Sequence, residues 1–434
     1  MTDVVSLLGQ IEDTGRDPRG PGYVRPGYSR VERELRDWFI AEAESRGFDV
    51  EIDHNGITWA WVTAPGENAV VTGSHLDSVP GGGEFDGPLG VASALAAVDQ
   101  LRESGRLARA RRPLAIAVFP EEEGSRFGLS CLGSRLLTGA VGPKRALALT
   151  DERGDTFADV LRSHGLDPER VGRDDERLGR IGSFLELHVE QGVGLVRTDQ
   201  PVAIGSSIIG HGRWHIRYEG EGNHAGTTPM AQRADPVVAA ARIIGDIPTI
   251  VGRYDGAVAT VGRTRVHPGG TNVIASAMDL WLDIRHPDDE VVQDVIEEIA
   301  RRARDRASGA GYRGHDVQVT VDQESYSPTT HFGADLTQRL SALLPDAPLQ
   351  ASGAGHDAGI LAAHVPSAML YVRNPTGVSH APEEACEDDD ARAGVIALAD
   401  ALAMELGVEG DGEGGAGPGG AGRADGQGDE EHRA

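Results

Sequence analysis

AVVTGSHLDSVPGGGEFDGPLGVASALAAVDQLRESG, residues 69–105, decides the fold of this chain. An apolar run, AVVTG (69–73), ends at a glycine-rich loop, and GVASALAAVDQLRESG (90–105) follows as a small-residue helix closed by Gly105. The same strand, loop and helix pattern recurs. PLAIAVF (113–119) runs straight into PEEEGS, SFLELHVEQG (183–192) forms another strand, and SAMLYVRN (367–374) comes late, before PTGVSH. Strands alternating with helices predict an α/β fold, a mostly parallel sheet with helices on both faces. In each case the unusual polar residues stand just after a strand end. Open α/β sheets bind ligands outside the carboxyl ends of their strands, so these loops are expected to meet in one crevice.

Between about 207 and 322 the pattern changes. RWHIRYEG reads as a strand, DPVVAAARIIGDI as a helix, AVATVGRTRV and AMDLWLDIRH as two strands, DDEVVQDVIEEIARRARD as a helix and DVQVTVD as a strand. That β-α-β-β-α-β order is the ferredoxin-like arrangement. The expected organisation is a metal-binding catalytic domain from residues 1–206 and 323–406, with the ferredoxin-like domain of 207–322 inserted into it. Residues 407–434, mostly Gly, Ala and acid with almost nothing to bury, are expected to form a disordered tail.

Composition removes several classes of function. A formal charge of −27 argues against nucleic acid or anionic membrane as a partner. The tail holds seven acids against two arginines, so most of this charge belongs to the body. No run approaches eighteen apolar residues, and MTDVVSLLGQIEDTG lacks the basic start and apolar core of a signal peptide. Two cysteines, Cys131 and Cys386, make no disulfide framework, and a cytoplasmic location is expected.

Five stretches carry chemistry: GSHLDS with FDG, PEEEGS, LELHVEQG, GVSHAPEE, and GNHAGTTPM together with NVIASAMDLWLDIR. Singly each is weak, since a lone histidine near a strand end is more often structural, and an acid before glycine is usually a turn. Their conjunction is informative: an imidazole, two carboxylates and two more imidazoles, all on loops that the fold gathers at one edge. Nitrogen and oxygen donors without thiolate suit Zn²⁺ or Mn²⁺, with Co²⁺ or Ni²⁺ as alternatives. Five donors that include a bridging carboxylate suit two ions about 3.5–4 Å apart. The glycines around Asp86 let the backbone fold tightly beside them. Asp77, two residues beyond His75, is placed to orient that imidazole as an outer carboxylate.

These motifs resemble the M20 metallopeptidase-type amidohydrolases. They are most similar to the hydantoinase/carbamoylase branch, which holds N-carbamoyl-L-amino acid hydrolases, allantoate amidohydrolases and β-ureidopropionases. The resemblance covers about residues 25 to 405 and carries GSHLDS…GGGEFDGPLGV, EEEGSRF, ELHVEQG, GNHAGTTPM, GTNVI, DIR, SGAGHDA and GVSHAPEE in the branch's order. It implies His75, Asp86, Glu123, His188 and His380 as metal ligands, with Asp86 bridging, and Glu122 as general base. It implies substrate contacts at Gln191, Arg213, His224, Asn272, Arg285 and the SGAGHDA loop near Gly355, with the inserted domain serving dimerisation and as a lid. The chain departs from the pattern at Ser78, Glu121 and Ala275, where the branch commonly shows Thr, Asn and Pro.

The expected reaction is hydrolysis of the C–N bond of an N-carbamoyl (ureido) acid, releasing ammonia and carbon dioxide. Two divalent ions lower the pKa of a shared water, and Glu122 takes its proton and returns one to the leaving nitrogen. His224, which the resemblance allows to reach in from a partner subunit, donates to the oxyanion, and Arg285 holds a carboxylate as a planar fork. HGRW (211–214) leading into GEGNHAGTTPM resembles allantoate amidohydrolases, and Arg213 stands where that resemblance implies an allantoate contact, so allantoate is the expected substrate. An N-carbamoyl-L-amino acid or a β-ureidopropionate is the alternative, and a dipeptidase or aminoacylase is a more distant one. From a different class, an inactive metal- or ureide-binding protein is disfavoured by retention of Glu122 beside all five ligands. His54, His164, His267, His331 and His364 are expected to be structural.

Overall fold

The computed structural model describes residues 3–308 and 316–408. Its larger unit begins with six strands: β1 (Asp49–Ile52), β2 (Thr58–Trp61), β3 (Ala69–His75), β4 (Leu114–Phe119), β5 (Ile181–Val189) and β6 (Val202–Ile208). The chain then builds a second unit from β7 (Gly210–Glu219), the short β8 (Asn223–His224), β9 (Val258–His267), the short β10 (Val273–Ile274), β11 (Ala277–His286) and β12 (Gln318–Ser327). It returns to the first sheet through β13 (Thr330–His331), β14 (Leu349–Ser352) and β15 (Ser367–Val372).

The first sheet has nine strands in the order β1-β2-β4-β3-β5-β15-β6-β13, with β14 on β6. The four central strands β4, β3, β5 and β15 run parallel. The flanking pairs are antiparallel except β14 on β6, more so than the strand runs alone suggest. One reason is local. The β1–β2 connection is a tight turn in which Asp53 Oδ1 accepts from the Asn55 and Ile57 amides, with Gly56 at φ 84°. A turn this short can only return the chain antiparallel.

Every residue of β3 and β4 is buried, as expected for parallel strands covered on both faces. One face packs on helices Pro88–Glu103 and Asp388–Glu405, where Leu95, Leu101, Leu398 and Leu402 are wholly buried. The other face packs Trp59, Phe119, Phe184 and Tyr371 together. The last helix ends where the tail was expected to begin. Gly407 at φ 70° donates to Met404 O, and Val408, largely buried, donates to Ala403 O, so both residues belong to the helix cap. Residues 409–434, the rest of the expected tail, lie outside the described residues.

The second unit follows the order β-α-β-β-α-β, and its antiparallel sheet runs β12-β7-β11-β9. Helices Pro236–Val251 and Asp289–Ala307 bury Ile243, Ile247, Val295 and Ile299 against one face. β12 continues past residue 322, because its pairing with β7 runs on to Ser327 opposite His211. The uncovered face is polar: His211 and Arg213 of β7 lie beside Arg285 and Asp283 of β11. No helix among the described residues is long and apolar enough to cross a membrane.

Candidate metal centre

Each of the four parallel strands delivers a donor at the same edge. β3 ends on His75, and the loop after it carries Asp86 into helix Pro88–Glu103. Glu122 and Glu123 follow β4, His188 is the penultimate residue of β5, and His380 stands on the loop after β15. Local chemistry fixes these loops. Gly87 has φ 88°, and a Cβ there would stand 2.5 Å from His75 Cε1, so glycine is required on both counts. Gly83 leaves room for Glu384, whose Oε1 accepts from the amides of Phe85 at 3.0 Å and Asp86 at 2.9 Å. The Asp86 loop is thus pinned by a carboxylate from the far end of the chain. Asn374 holds the other loop by accepting from the amides of Thr376 and Gly377 and donating to Val378 O.

The donors fall into two groups, His75–Asp86–His188 and Asp86–Glu123–His380, which share Asp86. Asp86 Oδ1 lies 3.5 Å from His75 Nε2 and 3.3 Å from His188 Nε2, and the two imidazole nitrogens are 3.4 Å apart. Asp86 Oδ2 lies 3.4 Å from His380 Nε2, which is 3.3 Å from Glu123 Oε2. These separations are long for charged N–H···O bonds. Ligands about 2.0–2.1 Å from a tetrahedral ion stand about 3.3–3.4 Å from one another, so the spacing is that of a coordination shell. Glu123 Oε1 is buried without a hydrogen-bond partner, and no arginine or lysine bonds to Asp77, Asp86, Glu122 or Glu123 among the described residues. Donor type, spacing and uncompensated acid all fit divalent cations.

Asp77 stands beside His75 and has a second task that the sequence expectation did not include. The nearest acceptor for His75 Nδ1 is the Asp77 backbone carbonyl at 3.0 Å, while its carboxylate stands at 3.6 Å. That carboxylate also accepts from the amides of Glu122 and Glu123, both at 3.1 Å, and so sets the turn carrying both glutamates. Glu122 belongs to neither donor group. Its Oε2 faces His75 Nε2 at 3.9 Å, and its Oε1 accepts from Cys131 Sγ at 3.3 Å.

A cavity of about 270 Å³ opens over these groups, lined by Gln191, Arg213, Arg285, Gly355 and His356 beside Glu122. Gln191 Nε2 donates to Asp86 Oδ2 at 2.9 Å and to Ser379 Oγ at 3.1 Å. Arg285 is already engaged: Nε donates to Asp283 Oδ1 at 2.8 Å and Nη1 to Gly353 O at 2.6 Å. Arg213 shares the same aspartate at 3.4 Å. His224 and Asn272 do not line the cavity. β8 and β10 pair His224 with Val273, leaving His224 and Asn272 exposed, and Asn272 O accepts from the Ala225 amide.

The sequence profile of peptidase family M20/M25/M40 matches residues 71–404. The chain belongs to this family. It is 34% identical over 397 residues to an N-carbamoyl-L-amino acid amidohydrolase of Geobacillus stearothermophilus, covering 90% of this chain and 95% of that one. It is 31% identical over 402 residues to an allantoate amidohydrolase of Escherichia coli K12, covering 91% and 96%. The crystal structure of an amidase of the hydantoinase/carbamoylase family from Burkholderia multivorans superimposes with TM-score 0.81 at 28% identity, covering 94% of this chain and 97% of that one.

The electrostatics of this M20 centre are those of crowded, buried acid. Burial pushes the Glu122 carboxyl well above its ordinary value; His75 opposes this, and Asp357 and Glu123 add to it. Burial would raise Asp86 too, but His188 and His75 hold it well below. Burial would lower His75, yet Asp77 and Asp86 keep it well above. Glu121, in left-handed backbone at φ 56°, is pushed by burial and by Asp77 up to about 8. Its Oε1 accepts from the Arg126 and Phe127 amides while Oε2 has no partner. Sequence reasoning missed Glu384 and Cys131. Glu384 is the last residue of GVSHAPEE, and nothing local tells it from a solvated acid. Cys131 was read only as one of two thiols, both free in the structure.

Proposed function

We propose that this M20 protein hydrolyses the C–N bond of an N-carbamoyl (ureido) acid, and that allantoate is the substrate to test first. The observation that carries the reading is the pair of donor groups sharing Asp86, with a buried carboxylic acid, Glu122, left outside both and facing the same cavity. Two divalent ions, Zn²⁺ or Mn²⁺, would be held by His75, Asp86 and His188 and by Asp86, Glu123 and His380, and would supply Lewis acidity and a nucleophile at neutral pH.

The chain's own residues do the rest. Glu122 accepts a proton from the attacking water and delivers it to the leaving nitrogen, a role worth about 10²–10⁴-fold in rate. Its buried position strengthens its hold on that proton. Asp77 holds the turn on which Glu122 and its ligand neighbour diverge. Arg285 binds the substrate carboxylate in exchange for its hold on Asp283, with Arg213 beside it and Gln191 and Gly355 lining the same cavity. His224 and Asn272, exposed on the β8–β10 ribbon, serve the cavity of a partner subunit, so the active form is a homodimer. The unit from β7 to β12 then acts as dimerisation and lid domain, on a catalytic domain built from the chain before and after it.

An N-carbamoyl-L-amino acid is the second reading, favoured by the 34% identity to the Geobacillus stearothermophilus protein of that name. The experiment is ammonia release from allantoate, N-carbamoyl-L-amino acids, β-ureidopropionate and a dipeptide with added Mn²⁺ or Zn²⁺. Chelator-reversible turnover of a ureide supports the reading, and turnover of the dipeptide alone defeats it.

A further inference from the structure

Resting on the ureido-acid reading, we propose that Arg135 is a specificity residue: its guanidinium receives the oxygen-bearing substituent of the substrate that is not cleaved. Two substrates carry such a group, a second ureido carbonyl in one case and a side-chain carboxylate in the other, and both offer acceptor oxygens to a planar fork.

Arg135 lies on helix Leu132–Thr138, which is fastened to the catalytic turn. The amides of Cys131, Leu132 and Gly133 donate to the carbonyls of Glu122, Glu121 and Pro120. The helix cannot move without the base. Arg135 lines the same cavity as Glu122, His380 and Arg285. Only its Nε is committed, donating to Ser130 O at 2.9 Å. Neither Nη group has an acceptor among the described residues, and no carboxylate pairs with it. Its charge is felt at Cys131, the thiol bonded to Glu122.

The other two arginines of the cavity contrast with it. Arg285 has its donors on Asp283 and Gly353, and Arg213 shares that aspartate. Both come from the four-stranded sheet, whereas Arg135 comes from the helix bonded to the catalytic turn. A substrate in the cavity therefore meets cationic groups from two units. One carboxylate satisfies the first, and Arg135 remains for a second acceptor. Ile208, Ile209 and Ile360 form an apolar flank that an alkyl substituent can use without Arg135.

The test uses the full chain reconstituted with Mn²⁺ or Zn²⁺, as wild type, Arg135→Ala and Arg135→Gln, with allantoate, N-carbamoyl-L-aspartate and N-carbamoyl-L-leucine. Losing a charged hydrogen bond should raise KM about 10–100-fold for the substrate whose substituent Arg135 holds, with kcat little changed. The leucine derivative should stay within about twofold. A rise confined to allantoate assigns the ureido group, and one confined to the aspartate derivative assigns the carboxylate. Equal losses on all three, or none, overturn the proposal. Were the wild type to turn over no ureide, the substrate reading falls on its own and Arg135 is decided by calorimetric binding of succinate and butyrate. Selective weakening of succinate in Arg135→Ala upholds the second-acceptor role, and unchanged succinate affinity overturns it.

Discussion

Asp86 is the one donor common to both groups, and this has a stoichiometric consequence. Each group holds three protein donors. His188→Ala removes one donor from the His75–Asp86–His188 group and leaves the other complete, while His380→Ala does the reverse. Asp86→Ala lowers both groups to two. Altering even an outer-shell partner of a ligand costs 10–100-fold in metal affinity, so deleting a direct ligand should cost at least about 100-fold, roughly 2.7 kcal/mol per site. After reconstitution with Mn²⁺ or Zn²⁺ and desalting, elemental analysis should find two ions per chain in wild type, one in each histidine variant and none in Asp86→Ala. Folding of Asp86→Ala is checked by circular dichroism, and the aspartate leaves an acid-rich site, so its loss relieves repulsion there. One ion retained by Asp86→Ala, or two lost in either histidine variant, would refute the shared-carboxylate geometry.

Glu122→Gln should keep both ions, because Glu122 is in neither donor group, while kcat falls about 10²–10⁴-fold; kinetics beside elemental analysis decide it. Cys131→Ala removes the S–H that donates to Glu122 Oε1, and should lower kcat roughly fivefold, about 1 kcal/mol, at constant KM. Cys131→Ser should restore most of that loss, and equal kcat in all three proteins would remove the thiol from the base's surroundings. Burial, with Arg33 adding, pushes the His164 imidazole down to about 4, while its Nε2 donates to Tyr28 O at 2.8 Å. The unfolded chain binds that proton near pH 6.5, so the stability His164 contributes is complete above pH 6.5 and is lost as pH falls toward 4. Urea midpoints of wild type should drop more steeply over that window than those of His164→Gln, and parallel slopes would exclude the effect.

The elements that position the centre were legible because their signals are local. β4 is an unbroken apolar run stopped by Pro120, β15 carries AMLYV before Arg373, and β3 and β5 hold the apolar stretches AVV and FL before the polar residues of the site edge. The flanking β1, β2, β6, β13 and β14 carried no such pattern. DVEI and TWAW are short, β1 lies exposed at the sheet edge, and their antiparallel sense depends on a turn organised by Asp53.

The amino-acid sequence by itself determined which side chains of this M20 protein can bind a cation, and that strand-end loops would gather them, because residue type and apolar periodicity are properties of neighbours in the chain. Only the tertiary structure decided the assignment of atoms. Asp86 stands between both donor groups, and the Asp77 carboxylate serves the glutamate amides as well as standing beside His75. Glu384 reaches across some three hundred positions to pin the Asp86 loop, and His224 and Asn272 stay outside the cavity. The reason is physical: a ligand shell is specified to tenths of an ångström between residues far apart in sequence, and only the packing of the sheet against its helices fixes distances on that scale.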